Sequence, residues 1–149
     1  MAWGIYEYET VTDNRGRLPL LAPMSAVAGR MSVQAGAMCL EKSHGGSGML
    51  LGGVPGTHQG KVLILGGGVV GQNAAQMAVG LGADVSIVDL SLDVLADIDA
   101  RFGNRVQTLY STRDTIMEEA LQACFYDVLK KLELQPSARV LELVEMEAE

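Results

Sequence analysis

Apolar positions along this chain follow two alternating periods. Lys61-Val-Leu-Ile-Leu65 is a short continuous apolar run, as expected of a strand buried on both faces. Asp84-Val-Ser-Ile-Val-Asp89 and Arg105-Val-Gln-Thr-Leu-Tyr110 read as second and third strands. Between them the period lengthens to that of a helix. Gln72 to Leu81 carries Ala74, Ala75 and Ala78, small enough to lie on a sheet, and Gly82 ends it. Ser91 to Phe102 is a second such helix, capped by Ser91 and stopped by Gly103. Strand–helix–strand–helix–strand at this spacing predicts a right-handed parallel sheet, a Rossmann-like doubly wound α/β domain of three to four strands.

A longer helix precedes this unit. Pro23-Met24-Ser25 opens it, with Ser25 as expected N-cap and Ala26 to Leu40 as its body. Gly29 and Gly36 lie seven apart on one face of it. Mid-helix glycine costs about 1 kcal/mol relative to alanine, so a second backbone is expected to pack closely there. Upstream, residues 6–11 read as a short extended piece and Asp13 to Gly16 as a turn; residues 43–60 are loop. Downstream, Thr115 to Leu132 is helical by pattern and Arg139 to Val144 is a fourth strand candidate. The divisions expected are an arm over 1–22, a cofactor domain over 23–120 and a helix–strand tail over 121–149.

Composition narrows the class. The 149 residues carry 11 Lys/Arg against 18 Asp/Glu, a net charge of −7, with no basic stripe to follow a phosphate backbone; nucleic acid is not an expected partner. The longest apolar stretch, Val62 to Gly71, falls far short of the roughly 20 residues a membrane span needs. Residues 1–10 lack the basic and apolar regions of a signal peptide. A cytoplasmic chain is expected, with Cys39 and Cys124 as reduced thiols buried in helices. The two histidines, His44 and His58, have no metal-site spacing, so no metal is expected. Together with Lys42 and Lys61 they read as loop or surface residues. The charge excess concentrates after residue 115, which marks a seam there.

Gly66-Gly-Gly-Val-Val-Gly71 fits G-x-G-x-x-G directly after a strand and at the opening of a helix, the context that gives the pattern its meaning. Gly66 permits a tight turn, Gly68 lets backbone approach a pyrophosphate, and Gly71 lets the helix pack on the strand. Free N–H groups at the helix start then favour an anion. Asp89 closes the second strand, where a carboxylate can accept both hydroxyls of an adenosine ribose and repel a 2′-phosphate. NAD(H) is therefore the expected ligand, rather than NADP(H). The competing reading of Asp89 is a cap for the turn that follows.

These segments closely resemble alanine dehydrogenase. The resemblance runs through Tyr8–Val11, Leu18–Ser25, Val27–Ser32, Leu51–Gly56, Val62–Gly71, Met77–Val85 and Arg105–Thr112, and covers roughly residues 6–120. It implies a domain of an NAD-dependent oxidative deaminase of L-alanine, with Ser25, Gly68, Val69, Val70, Asp89 and Ser111 around the cofactor. It also implies that the substrate-binding Arg, Lys and His belong to a domain ahead of Tyr8, and that an Asp near the nicotinamide follows residue 120. The stretch from Gln122 is unlike the family. The expectation is a domain that binds NAD but does not turn over alanine alone, and that self-associates through its exposed helix and arm. Two other readings stay open: a chimeric or engineered Rossmann-fold module without activity, and an S-adenosylmethionine-binding methyltransferase-like domain, which Leu132–Leu143 faintly resembles.

Overall fold

The computed structural model describes residues 10–123. Three strands, β1 (Lys61–Leu65), β2 (Asp84–Asp89) and β3 (Gln107–Tyr110), form a parallel sheet in the order β1-β2-β3. They alternate with α2 (Val69–Gly80) and α3 (Leu92–Phe102); α1 (Ala22–Leu40) precedes the sheet and α4 (Arg113–Gln122) follows it. The class is α/β and Rossmann-like, as the alternation of periods implied.

Register and pleat divide the sheet into two faces. Val62 pairs with Val85 and Ile64 with Ile87, so these side chains share one face. Ile64, Val85 and Ile87 join Ala74, Ala75 and Ala78 of α2 and Ile98 and Phe102 of α3 in the buried core, with half-buried Val62 packed against it. The alanines set the close helix-to-sheet distance that the sequence pattern called for. Lys61, Leu63 and Leu65 point to the other face, in register with Asp84, Ser86 and Val88. There Lys61 reaches α4: its Nζ lies 3.2 Å from Glu119 Oε2 and donates to Gln122 Oε1 at 2.8 Å. The helix after β3 thus comes back over β1 on the side opposite α2, the reversal of direction that a doubly wound sheet requires.

Helix α1 lies along α2 rather than on the sheet, and the contact turns on Gly29. A Cβ there would collide with the carbonyl oxygen of Val70 and meet Asn73 Cβ at 3.1 Å. Arg30 Nε donates to Asn73 Oδ1 at 3.1 Å beside it. The close approach expected at Gly29 is present. At Gly36 it is not, since nothing lies within 4 Å of the position a Cβ would take.

Several boundaries differ from expectation. α1 starts at Ala22, with Leu21 in the cap position and no side-chain cap, so Ser25 is inside the helix and its N–H donates to Leu21 O at 3.0 Å. Pro23 stands in the first turn, where its missing N–H costs nothing and its fixed φ suits the helix. α2 begins three residues before Gln72, because Gly68 serves as its cap without a side chain. β3 begins at Gln107, since Gly103–Arg105 wind into a single 3-10 turn. α4 is capped by Thr112, whose Oγ1 accepts from Thr115 N at 3.1 Å. Cys39 is exposed rather than buried. The helix expected over Thr115–Leu132 instead starts at Arg113 and ends at Gln122, where Ala123 turns to extended backbone. Cys124, most of the extended piece at 6–11 and the strand expected at 139–144 lie outside the described residues. Among the described residues, no helix is long and apolar enough to cross a membrane, and no three metal-ligating side chains cluster.

Candidate functional site

The carboxyl ends of the three strands meet at a glycine turn. Gly66 leaves β1 at φ 90°, a conformation side-chain-bearing residues rarely adopt, and its N–H still donates to Val88 O at 2.8 Å. The chain is therefore tied to β2 while it turns sharply into α2. Gly71, one turn into that helix, faces back on the strand. A Cβ there would strike the Gly66 carbonyl oxygen and meet Ile64 Cγ2 at 3.2 Å. Between them Gly68 is exposed, and a Cβ built on it meets nothing within 4 Å. Turn, open approach and close packing each sit at the glycine the spacing assigned. Val69 and Val70 are exposed beside Gly68, in the first turn of α2, where backbone N–H groups have no intrahelical acceptor.

Gly67 has a role that the motif did not announce. It is buried, with Ile98 Cδ1 at 2.5 Å and Val94 Cγ1 at 2.7 Å from the position of a Cβ. The first turns of α3 fill the space that a side chain would need. No local pattern signals this, because the neighbours come from an element 27 to 31 residues downstream.

Asp89 binds three elements together. Its Oδ2 accepts the Gly67 N–H at 2.6 Å and its Oδ1 accepts the Ser91 N–H at 2.8 Å. Its carbonyl accepts the Ser111 N–H at 3.0 Å. The carboxylate thus does cap the turn that follows it, and it also clamps the glycine loop. Neither task exhausts it: an ionised carboxylate has about four acceptor positions, so each oxygen keeps one for a further donor. The half-buried carboxylate is held at the edge of the glycine turn in a fixed orientation.

The remaining sequence candidates divide. Ser25 is half-buried on α1, one turn before Gly29, on the side facing the first turn of α2. Ser111 follows β3 and sits beside Asp89 through its N–H. Ser25, Gly66, Gly68, Val69, Val70, Gly71, Asp89 and Ser111 therefore all belong to the carboxyl end of the sheet and the helix starts around it. Lys61 stands at the opposite end of β1, engaged with α4. His44 Nδ1 lies 3.4 Å from Glu41 Oε2, in the single 3-10 turn that follows α1.

Comparison with known proteins bears out the family resemblance but carries it past Gln122, where it had been expected to stop. The family described as alanine dehydrogenase/PNT, C-terminal domain, matches residues 32–128. The chain is 54% identical over 137 residues to an alanine dehydrogenase of Bacillus subtilis, covering 92% of this chain and 35% of that protein. It is 51% identical over 137 residues to an alanine dehydrogenase of Halomonas elongata, covering 92% of this chain and 36% of the relative. A solved L-alanine dehydrogenase structure superposes with a TM-score of 0.76 at 55% identity, over 78% of this chain and 32% of that one. The chain spans about a third of the length of the relatives it matches.

Proposed function

The chain belongs to the alanine dehydrogenase/PNT C-terminal domain family, and from that premise we propose that it is the NAD(H)-binding domain of an alanine dehydrogenase-like oxidoreductase. The observation that carries the ligand assignment is the open cradle at Gly68, flanked by the start of α2, which has no side-chain cap, and by Asp89. The residues fit a dinucleotide. The N–H groups of Gly68, Val69 and Val70 would hold the pyrophosphate at the positive end of α2. Asp89 would accept the adenosine ribose hydroxyls with the positions its two backbone bonds leave free. Ser111 would line the adenine end, and Ser25 on α1 would close the site from the side of α2. Gly66 and Gly71 shape the loop rather than touch the ligand.

When bound, NAD would supply the hydride acceptor for an oxidative deamination, in which L-alanine, NAD+ and water give pyruvate, ammonium, NADH and a proton. The contribution of these residues is to fix the cofactor's phosphates and adenosine so that the nicotinamide is presented in one orientation. Residues 23–120 form this domain, with residues 1–22 as the arm leading into α1. An exposed free Cys39 suits a reducing, cytoplasmic compartment.

Thermal denaturation with each cofactor tests the assignment. NAD should raise the melting temperature and NADP at equal concentration much less, because a 2′-phosphate would face the Asp89 carboxylate. Equal shifts from the two would remove Asp89 from the ribose site.

A further inference from the structure

The glycine loop is gripped from two sides, and the second grip is made by residues that no motif points to. Gln72 Nε2 donates to the Gly67 carbonyl at 2.8 Å. Its Oε1 accepts from Arg101 Nη1, on α3, at 2.9 Å. We propose that Gln72, oriented by Arg101, is a positioning residue that pre-sets the phosphate loop for its ligand; this rests on the cofactor reading above.

The chemistry of the three groups makes the arrangement directional. A guanidinium has donors only, so the Gln72 amide must turn its oxygen to Arg101. Its NH2 is left to face the Gly67 carbonyl. Arg101 is itself steadied, with its guanidinium carbon 5.2 Å from the centre of the Phe102 ring and Nη2 3.5 Å from Gln76 Oε1. The peptide joining Gly67 to Gly68 is planar and trans, so its carbonyl and its N–H point in opposite directions. Fixing the Gly67 carbonyl on Gln72 therefore turns the Gly68 N–H outward, at the open start of α2. Asp89 fixes the preceding peptide through the Gly67 N–H. Both peptide planes around Gly67 are thus set by side chains before any ligand arrives. Without the Gln72 bond, the 67–68 plane would be free to rotate about a glycine, the residue least able to resist it. The ligand would then have to order the loop as it bound.

The experiment compares the full chain with Gln72→Met, which keeps the length and helix propensity of the side chain and removes both hydrogen bonds. Three properties are measured: the melting temperature, the 15N order parameters of the amides from Gly66 to Val69 without ligand, and the affinities for NAD and for adenosine by NMR titration. The melting temperature should be nearly unchanged. The loop order parameters should fall from about 0.85 toward 0.6. NAD should bind about tenfold more weakly, the worth of one hydrogen bond lost from the loop. Adenosine, which has no pyrophosphate, should bind as before. Unchanged loop order, or equal losses for NAD and adenosine, would overturn the proposal. Failure of the unsubstituted chain to bind NAD would instead sink the cofactor reading, and the order parameters would still decide whether Gln72 holds the loop.

Discussion

One added methyl group should have opposite signs at two glycines of the same helix. At Gly29 it would collide with the Val70 carbonyl oxygen; at Gly36 it would meet nothing within 4 Å. Replacing an exposed helical glycine by alanine gains about 1 kcal/mol from helix propensity alone. Gly36→Ala should therefore stabilise the chain by about that amount. Gly29→Ala receives the same gain but must push α1 off α2, and overpacking costs typically about 1–3 kcal/mol. It should melt lower than the parent chain. Urea midpoints of the two variants check the pair, and a Gly29→Ala as stable as Gly36→Ala would mean that α1 and α2 are not in contact at Val70.

At the scale of elements, the contact between β1 and α4 depends on an ion pair that is mostly out of water. The Lys61 and Glu119 side chains are 18% and 11% exposed. Lys61→Met should cost about 3 kcal/mol, because the Glu119 carboxylate is left nearly buried without its cation. The double variant Lys61→Met, Glu119→Met should recover most of that, since replacing both partners by apolar groups is often close to neutral. Chemical denaturation of the three proteins reads the difference, and additive losses would show that the two side chains do not act as a pair. Nothing in the sequence around Lys61 announces this pairing, because the partner is 58 residues away. What was legible was local. β1 and β2 have the expected bounds, but only β2 is buried along its length: β1 is an edge of the described sheet, with Ile64 buried and Leu65 exposed, so its apolar run did not mean burial on both faces. Helix starts were less legible: Ser25 resembles a cap but lies behind Pro23, whereas α2 is capped by a glycine that has no side chain to recognise. In the site, the spacing of Gly66, Gly68 and Gly71 revealed their geometry because each role is a backbone requirement. The Gln72–Arg101 clamp and the burial of Gly67 depend on where α3 packs, which only the tertiary fold decides.

On the scale of the whole molecule, one surface of α1 remains apolar and open. Met24, Val27, Met31 and Met38 are exposed at spacings of three, four and seven residues, so they form one stripe, while Gly29 and Val33 face inward. Left exposed among the described residues, this stripe would suit a contact surface, and self-association through α1 is the outcome we expect in solution. Sedimentation should show a dimer or larger species that Met31→Lys reduces toward the monomer; a monomer at every concentration would rule the contact out. Whether the glycine turn holds the cofactor is decided by a calorimetric titration of NAD into the full chain and into Gly68→Val. Gly68 has a φ of −69° and open space around it, so a valine is tolerated by the fold while its side chain occupies the volume a pyrophosphate needs. The expected result is saturable binding to the unsubstituted chain and none to Gly68→Val, which keeps its fold by circular dichroism while melting somewhat lower for the loss of a glycine cap. Equal affinity for NAD in both proteins would contradict it.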